Sequence, residues 1–236
     1  MKGSLVLPFG KKFIGNKYVF GAYVKKDNDK YDGVFDCAEF VAYCNYQVFS
    51  ILYGTEGNTL KKDDAYTGYF ARDVEKYGIK ISVEQAARTP GAILLRVPKL
   101  GAIGHIVFSQ GNGKTVEAHS TKYGVKEDKV DGRRWDYGFL LPNVEYTENK
   151  APVITSAPKI VYRLKTPMMS GDYVKTIQKG LQKAGFYLGW VPDVYFGPKM
   201  QDAVVKYQKK YGLIADGEVM PAGEVEKSLR KNKFII

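Results

Sequence analysis

The residues of this chain best suited to nucleophilic chemistry are two cysteines and two histidines. Cys37 stands where an amphipathic helix is expected to begin. A thiol at a helix N-terminus meets unpaired backbone N–H groups and the positive end of the helix dipole, and both favour the nucleophilic thiolate. A base for this thiol must come from His105 or His119, the only imidazoles in the sequence. The sequence therefore predicts a cysteine nucleophile with a histidine partner.

Cys44 has a different expected role. It lies seven residues after Cys37 on the same predicted helix. That spacing is about 10 Å along the helix axis, too far for a disulfide bridge. We expect Cys44 to pack in the core, as free cysteines commonly do. With two histidines and no CxxC pair, the sequence predicts no metal site and no cofactor.

A β-hairpin is expected to carry both histidines. Residues 105–110 and 114–119 have strand patterns and are joined by Gly111-Asn112-Gly113, a hairpin signal. The other elements predicted in this half are helices at 37–53, within 63–77 and at 83–87, and a strand at 91–97. A cysteine-bearing helix followed by an antiparallel sheet is an α+β arrangement.

The length of the hairpin loop decides which side chains reach His105. A three-residue loop places Val107 opposite Glu117 and His105 opposite His119, so the three polar side chains share one face. A two-residue loop turns Glu117 to the other face. A carboxylate beside the imidazole would fix its tautomer and stabilise the imidazolium. Spacing favours Glu117 over His119 for this role.

A second domain is expected after a linker. The segment 146–160 is rich in Pro, Thr, Ser and Asn without periodicity, which is typical of a linker. It separates a domain at 1–145 from one at 161–236. The second domain is predicted to be small and all-α, with helices near 171–184, 198–211 and 222–231.

Charge and hydropathy restrict the partners. The chain has 236 residues and a formal net charge of +11, which favours binding to polyanions. Without zinc-finger spacing or an RNP motif, we expect no nucleic-acid partner. The sequence contains no transmembrane run, and its N-terminal apolar stretch is too short for a signal peptide. Export is therefore expected by phage lysis, by a secretion system or through a leader absent from this sequence.

Three segments carry a family resemblance: Phe13–Gly21, Phe35–Val41 and Gly104–Phe108. Their order and spacing resemble the NlpC family of papain-like cell-wall cysteine peptidases over about the first 140 residues. The resemblance implies a papain-like Cys-helix packed on an antiparallel sheet. The chain departs from the family pattern at two places. Ala38-Glu39 stands where Ser-Gly is usual, and the long segment Tyr53–Thr89 resembles an insertion into that pattern.

The same resemblance implies roles for single residues. Cys37 corresponds to the nucleophile, His105 to the base and Glu117 to the third polar residue. Tyr18 corresponds to a tyrosine that shapes the oxyanion site and the substrate pocket. Asp36 corresponds to an acidic residue beside the peptide-binding subsite. His119 remains open as the alternative third residue or as a residue lining the pocket.

The C-terminal half is similar to a peptidoglycan-binding three-helix module. The resemblance continues in order through Ser170–Leu181, Gly185–Tyr187, Asp193–Pro198, Ala203–Gln208 and Gly212–Gly217. It implies peptidoglycan as the partner of a monomeric protein that acts on the bacterial cell wall.

Together the two resemblances imply a peptidoglycan hydrolase that cleaves stem-peptide amide bonds. The expected bond is γ-D-glutamyl to diaminopimelate, cut by a D,L-endopeptidase through a Cys-His-Glu mechanism. Three alternatives remain open: an N-acetylmuramoyl-L-alanine amidase similar to the CHAP enzymes, a non-catalytic wall-binding protein with a degenerate peptidase domain, and an acyltransferase that uses the same Cys–His pair.

Overall fold

The computed structural model describes residues 1–99, 101–149, 160–187 and 191–235. The chain divides into two compact units, one formed by Met1–Pro98 with Gly104–Thr155 and the other by Lys99–Ile103 with Ser156–Ile236. Most of the predicted linker, 146–160, lies outside the described residues. The domain boundaries proposed from the sequence therefore stay a prediction.

The first unit combines helices with one sheet, so the α+β prediction is confirmed. A short 3-10 helix, Gly3–Leu5, leads into its elements. These are α1 (Val6–Lys11), α2 (Cys37–Phe49), α3 (Thr67–Tyr77), β1 (Ile79–Ile81), α4 (Val83–Arg88), β2 (Ile93–Arg96), β3 (His105–Ser109), β4 (Lys114–Ser120), β5 (Gly124–Lys129) and β6 (Tyr137–Leu140). No pattern in the sequence predicted α1, β5 or β6, because these segments lie outside the motifs that could be recognised.

The sheet has six strands in the order β1-β6-β2-β3-β4-β5, and all neighbouring strands are antiparallel. In the β3–β4 hairpin, Phe108 pairs with Val116 and Ser109 with Thr115. The backbone N–H of Gln110 then donates to the carbonyl of Lys114 at 2.9 Å. This is the register of the three-residue loop, so Glu117 shares a sheet face with His105.

Helix α2 is more deeply buried than an amphipathic helix. Nine consecutive residues from Cys37 to Asn45 are buried, since the helix lies between the sheet and the N-terminal segments. It ends at Phe49, earlier than predicted, because Ser50 adopts a left-handed backbone with φ 57°. Its tight packing fixes the position of Cys37 at its first turn.

The two faces of the sheet have separate cores. Ile106 and Phe108 of β3 pack in the cluster that contains α2. Val107 packs on the opposite face with Ala86 and Ala87 of α4. Because side chains alternate along a strand, His105 belongs to the α4 face of β3.

In its described residues, the second unit contains three helices, α5 (Asp172–Lys183), α6 (Pro198–Lys210) and α7 (Glu224–Lys231). The predicted helices are therefore confirmed, with ends that differ by one or two residues. Their apolar stripes form a core of their own, with Ile177, Leu181 and Val204 fully buried. A buried glutamine on α5, Gln178, donates to Asp193 at 2.8 Å and to the carbonyl of Tyr195 at 3.0 Å, which fixes the loop before α6.

Candidate active site

Asp36 caps the helix that carries Cys37. Its Oδ1 accepts hydrogen bonds from the backbone N–H groups of Ala38 at 2.9 Å and Glu39 at 2.8 Å. An aspartate at this position satisfies donors that the first helical turn leaves free. The expectation that the Cys37 sulfur meets these unpaired donors is therefore wrong, because the capping carboxylate occupies both.

The surroundings of Cys37 favour the neutral thiol. Burial raises the pKa of Cys37 well above its ordinary value, and the Asp36 carboxylate raises it further. The backbone N–H of Ile106 and the charge of Arg96 act in the opposite direction but do not compensate. The predicted bias toward the thiolate is thus wrong for this structure, since desolvation outweighs the favourable contacts.

The influence of Ile106 also locates the thiol. The Ile106 backbone N–H, which directly follows His105 in the chain, lowers the pKa of Cys37 and therefore lies near it. Helix α2 therefore brings its first residue to the beginning of β3. The nucleophile and the base expected from the sequence lie on these two adjoining segments.

His105 is bound by Glu117 at one ring nitrogen. Nε2 of His105 lies 2.6 Å from Oε2 of Glu117, and both side chains are buried. An ionised carboxylate can only accept, so the neutral imidazole carries its hydrogen on Nε2. Nδ1 then has a lone pair and is the nitrogen able to accept a proton.

Glu117 stays ionised because cationic and polar groups surround it. Arg133 donates to both of its carboxylate oxygens, at 2.6 and 2.8 Å, and the Thr115 hydroxyl also donates. Burial alone would raise the pKa of Glu117. The Arg133 guanidinium and the bond from His105 instead hold it well below its usual range.

His105 is held in its neutral form. Burial lowers the pKa of His105 to about 4, even though its bond to Glu117 acts to raise it. The nearby charges of Arg133 and Arg96 lower it as well. A neutral thiol and a neutral imidazole are therefore the resting pair at pH 7.

Arg133 is a functional candidate that the sequence reasoning did not identify. The sequence Gly132-Arg133-Arg134-Trp135 is typical of a structural turn with a packed tryptophan, with binding of an anionic substrate as the alternative. Trp135 does pack: its ring lies 6.0 Å from that of His105, and the Arg133 guanidinium lies 4.7 Å from the Trp135 ring. The role of Arg133 as partner of Glu117 depends on a contact between distant segments, and no local motif signals it.

Arg96 is a second such residue. It is buried and lies at the end of β2, where it pairs in register with His105. Its charge lowers the pKa values of both Cys37 and His105. The strand pattern of 91–97 placed Arg96 near a strand end but did not indicate that its charge acts on Cys37 and His105.

Tyr18 and His119 also lie near the site. Tyr18 is buried, and burial together with the nearby Cys37 raises the pKa of its hydroxyl. The ring of His119 lies 6.1 Å from that of His105. Nδ1 of His119 lies 3.0 Å from the Ser120 hydroxyl, and its Nε2 lies 3.4 Å from Asp128. Of the two candidates for the third residue, Glu117 is the one whose bond to His105 is seen.

In the described ranges of the chain, no group of three or more His, Cys, Asp or Glu side chains could hold a metal ion. None of the helices in those ranges is long and apolar enough to cross a membrane.

Comparison with known proteins identifies the C-terminal helices. Residues 170–222 match the family model described as "Putative peptidoglycan binding domain". The resemblance to such a module is confirmed. An uncharacterized protein in the bpoA1 3'region of Kitasatospora aureofaciens is 40% identical over 81 residues, which are 32% of this chain and 69% of that protein. This chain belongs to the same family as that protein.

Two further similarities concern hydrolases. N-acetylmuramoyl-L-alanine amidase CwlL of Bacillus licheniformis is 29% identical over 133 residues, which cover 51% of this chain. The chain spans 35% of the length of that amidase. The solved NlpC/p60 domain of peptidoglycan hydrolase SagA is 25% identical and is similar with a TM-score of 0.44, covering 60% of this chain and all of that one.

Proposed function

We propose that this protein is a peptidoglycan hydrolase that cleaves an amide bond of the stem peptide with Cys37 as nucleophile and His105 as base. The observation that carries the proposal is the 2.6 Å contact between Glu117 and His105 Nε2. It leaves the lone pair of Nδ1 free to accept a proton, on a residue whose neighbour Ile106 lies near enough to Cys37 to lower the pKa of the thiol. A cysteine, an imidazole and a group that orients the imidazole are the components of nucleophilic acyl transfer.

The reaction begins from the neutral pair. As the Cys37 sulfur bonds to the substrate carbonyl carbon, its proton passes to Nδ1 of His105. His105 then donates this proton to the amide nitrogen, the C–N bond breaks and the amine leaves. A water molecule next gives a proton to His105 and attacks the thioester, and the sulfur leaves as a thiol once His105 returns the proton.

Charge develops on two groups in these steps. The imidazolium is stabilised by the ionised Glu117. For the oxyanion, the Ala38 and Glu39 N–H groups are already bound by Asp36. The hydroxyl of Tyr18, which lies near Cys37, is therefore the side-chain donor that we assign to the oxyanion, a role worth about 3–4 kcal/mol for a single donor.

The C-terminal unit supplies wall attachment in this proposal. Its match to a peptidoglycan-binding family model supports this role. Attachment raises the effective concentration of the hydrolytic site at an insoluble polymer. We infer that the bond cut is the γ-D-glutamyl to diaminopimelate bond, on the NlpC resemblance.

Two alternatives have specific support. The similarity to amidase CwlL favours cleavage between the sugar and the first L-alanine. The raised pKa of the buried Cys37 favours a non-catalytic wall-binding protein. The test is digestion of purified sacculi by the wild type, by Cys37→Ala and by Cys44→Ala. Cleavage by the wild type and Cys44→Ala alone supports the hydrolase, whereas no cleavage by any of them favours the binding protein.

A further inference from the structure

A buried ion pair lies one helical turn from the nucleophile and takes no part in the proposed chemistry. Glu39, the second residue after Cys37, and Lys26 are both fully buried. Nζ of Lys26 donates to Glu39 Oε2 at 2.6 Å and to the carbonyls of Val24 and Asp63 at 2.6 and 2.7 Å. All three ammonium donors are satisfied, as a buried lysine requires.

The carboxylate of Glu39 joins two distant segments to the first turn of α2. Its Oε2 also accepts from the backbone N–H of Val24 at 2.9 Å. Its Oε1 accepts from the backbone N–H of Ala65 at 2.6 Å. The usual glycine of the NlpC pattern has no side chain that could make these bonds. The departure at Glu39 thus has a structural purpose within this chain.

The segment 65–67 continues from this bond to the strand that carries His105. Thr67 is buried and begins α3. A Cβ atom on Gly104 would lie 2.4 Å from the Thr67 hydroxyl and 2.8 Å from the carbonyl of Arg96. Gly104 therefore permits close packing immediately before His105. We call residues 65–67 the strut. At one end the strut contacts the helix that carries Cys37, and at the other end it contacts Gly104, the residue immediately before His105.

We propose that Glu39 is a positioning residue that acts through the strut to set the placement of Cys37 relative to His105. The inference rests on the proposed function, since it requires this pair to react. A shift of about 1 Å in reacting groups can cost about 10²-fold in rate. Loss of the Glu39–Ala65 bond should therefore lower kcat on a soluble muropeptide and leave KM unchanged.

Two matched double variants separate positioning from stability. Glu39→Gln with Lys26→Met removes both charges but keeps an amide oxygen for the Ala65 N–H. Glu39→Leu with Lys26→Met removes the charges and the acceptor together. Replacing both members of a buried pair avoids leaving one charge unpaired. Thermal unfolding of each variant sets an assay temperature at which both are folded.

The expected result is a kcat near the wild-type value for the glutamine double variant and a kcat at least about tenfold lower for the leucine double variant. Equal kcat values for the two overturn the positioning role. If the leucine variant does not fold, Glu39→Met with Lys26→Met replaces it, because an unbranched thioether side chain also removes the acceptor for the Ala65 N–H without leaving the Lys26 charge unpaired. A lowered kcat supports the role, and an unchanged kcat overturns it.

A failure of the proposed function gives a different experimental result from a failure of the positioning role. A wild-type protein that releases no muropeptide overturns both proposals. Cleavage that is lost in Cys37→Ala but unaffected in the Glu39 variants overturns the strut alone.

Discussion

Glu117 Oε2 lies 2.6 Å from Nε2 of His105, and Arg133 donates to both oxygens of the same carboxylate. This relationship fixes the imidazole tautomer, because a carboxylate held ionised by a guanidinium cannot donate. It also explains how the site carries a buried acidic group beside a histidine of low basicity. The catalytic proposal depends on this relationship more than on the ionisation of the thiol.

Glu117→Gln tests the orienting role. The amide keeps the size of the side chain but can present its N–H₂ to the imidazole and so favour the wrong tautomer. We expect kcat to fall by about 10²–10⁴-fold. Stability should also fall, since Arg133 would lose its counter-charge. The measurement is turnover of a soluble muropeptide, with the folded fraction determined by circular dichroism.

Thr115→Val is the matched control for that variant. It removes a hydroxyl that donates to the same carboxylate but leaves its charge and its bond to His105 unchanged. We expect turnover within about tenfold of the wild type, on the scale of one neutral hydrogen bond. A Glu117→Gln variant as active as Thr115→Val would contradict the orienting role.

The activity should persist into acid conditions. The pKa of His105 is lowered to about 4, so the ring stays neutral and able to accept a proton at every pH above that value. Activity is lost as the pH falls and the free enzyme's imidazole becomes protonated. We expect the acid limb of kcat/KM near pH 4. An acid limb near 6.5, the ordinary histidine value, would show that the imidazole is more exposed than the structure has it.

The hairpin shows what could be predicted from the sequence. Gly111-Asn112-Gly113 limited the loop to two or three residues. Because side chains alternate between the two faces of a sheet, the loop length then decided whether Glu117 and His105 share a face. The observed pairing of Phe108 with Val116 is the three-residue alternative. Local turn chemistry and strand period were sufficient here because both strands are neighbours in the chain.

The ionisation of Cys37 could not be predicted in the same way. A helix start suggested free N–H donors, but Asp36 binds two of them. The contributions of Arg96 and Glu117 to the Cys37 pKa come from segments that are far from Cys37 in the sequence. Burial dominates the pKa of the thiol, and burial depends on the packing of the whole unit.

Cys37 should react slowly with iodoacetamide at pH 7. Its raised pKa and its 6% exposure both keep the nucleophilic thiolate scarce. The rate should rise steadily with pH through 9, because more thiolate forms as the pH approaches the raised pKa. Mass spectrometry of the alkylated peptides separates Cys37 from the fully buried Cys44, which serves as the internal reference. Rapid alkylation of Cys37 that is independent of pH between 6 and 8 would instead indicate a resting thiolate.

Removal of residues 161–236 should weaken attachment to the wall. The deleted unit contains the match to the peptidoglycan-binding model and has its own core. We expect much weaker sedimentation with sacculi, and nearly unchanged cleavage of soluble muropeptides, because the proposed reacting residues lie in the other unit. The assay uses Cys37→Ala as the background for sedimentation, so that digestion does not remove the polymer. Equal sedimentation of the full-length and truncated proteins would contradict wall attachment by this unit.

The central claim is that Cys37 attacks a stem-peptide amide bond. The direct measurement is mass spectrometry of the fragments that the wild type and Cys37→Ala release from purified peptidoglycan. We expect the wild type to release fragments ending in γ-D-glutamate with a matching new amine on diaminopimelate, and Cys37→Ala to release none. Release of the same fragments by Cys37→Ala, or no new amine in the wild-type digest, would contradict the account.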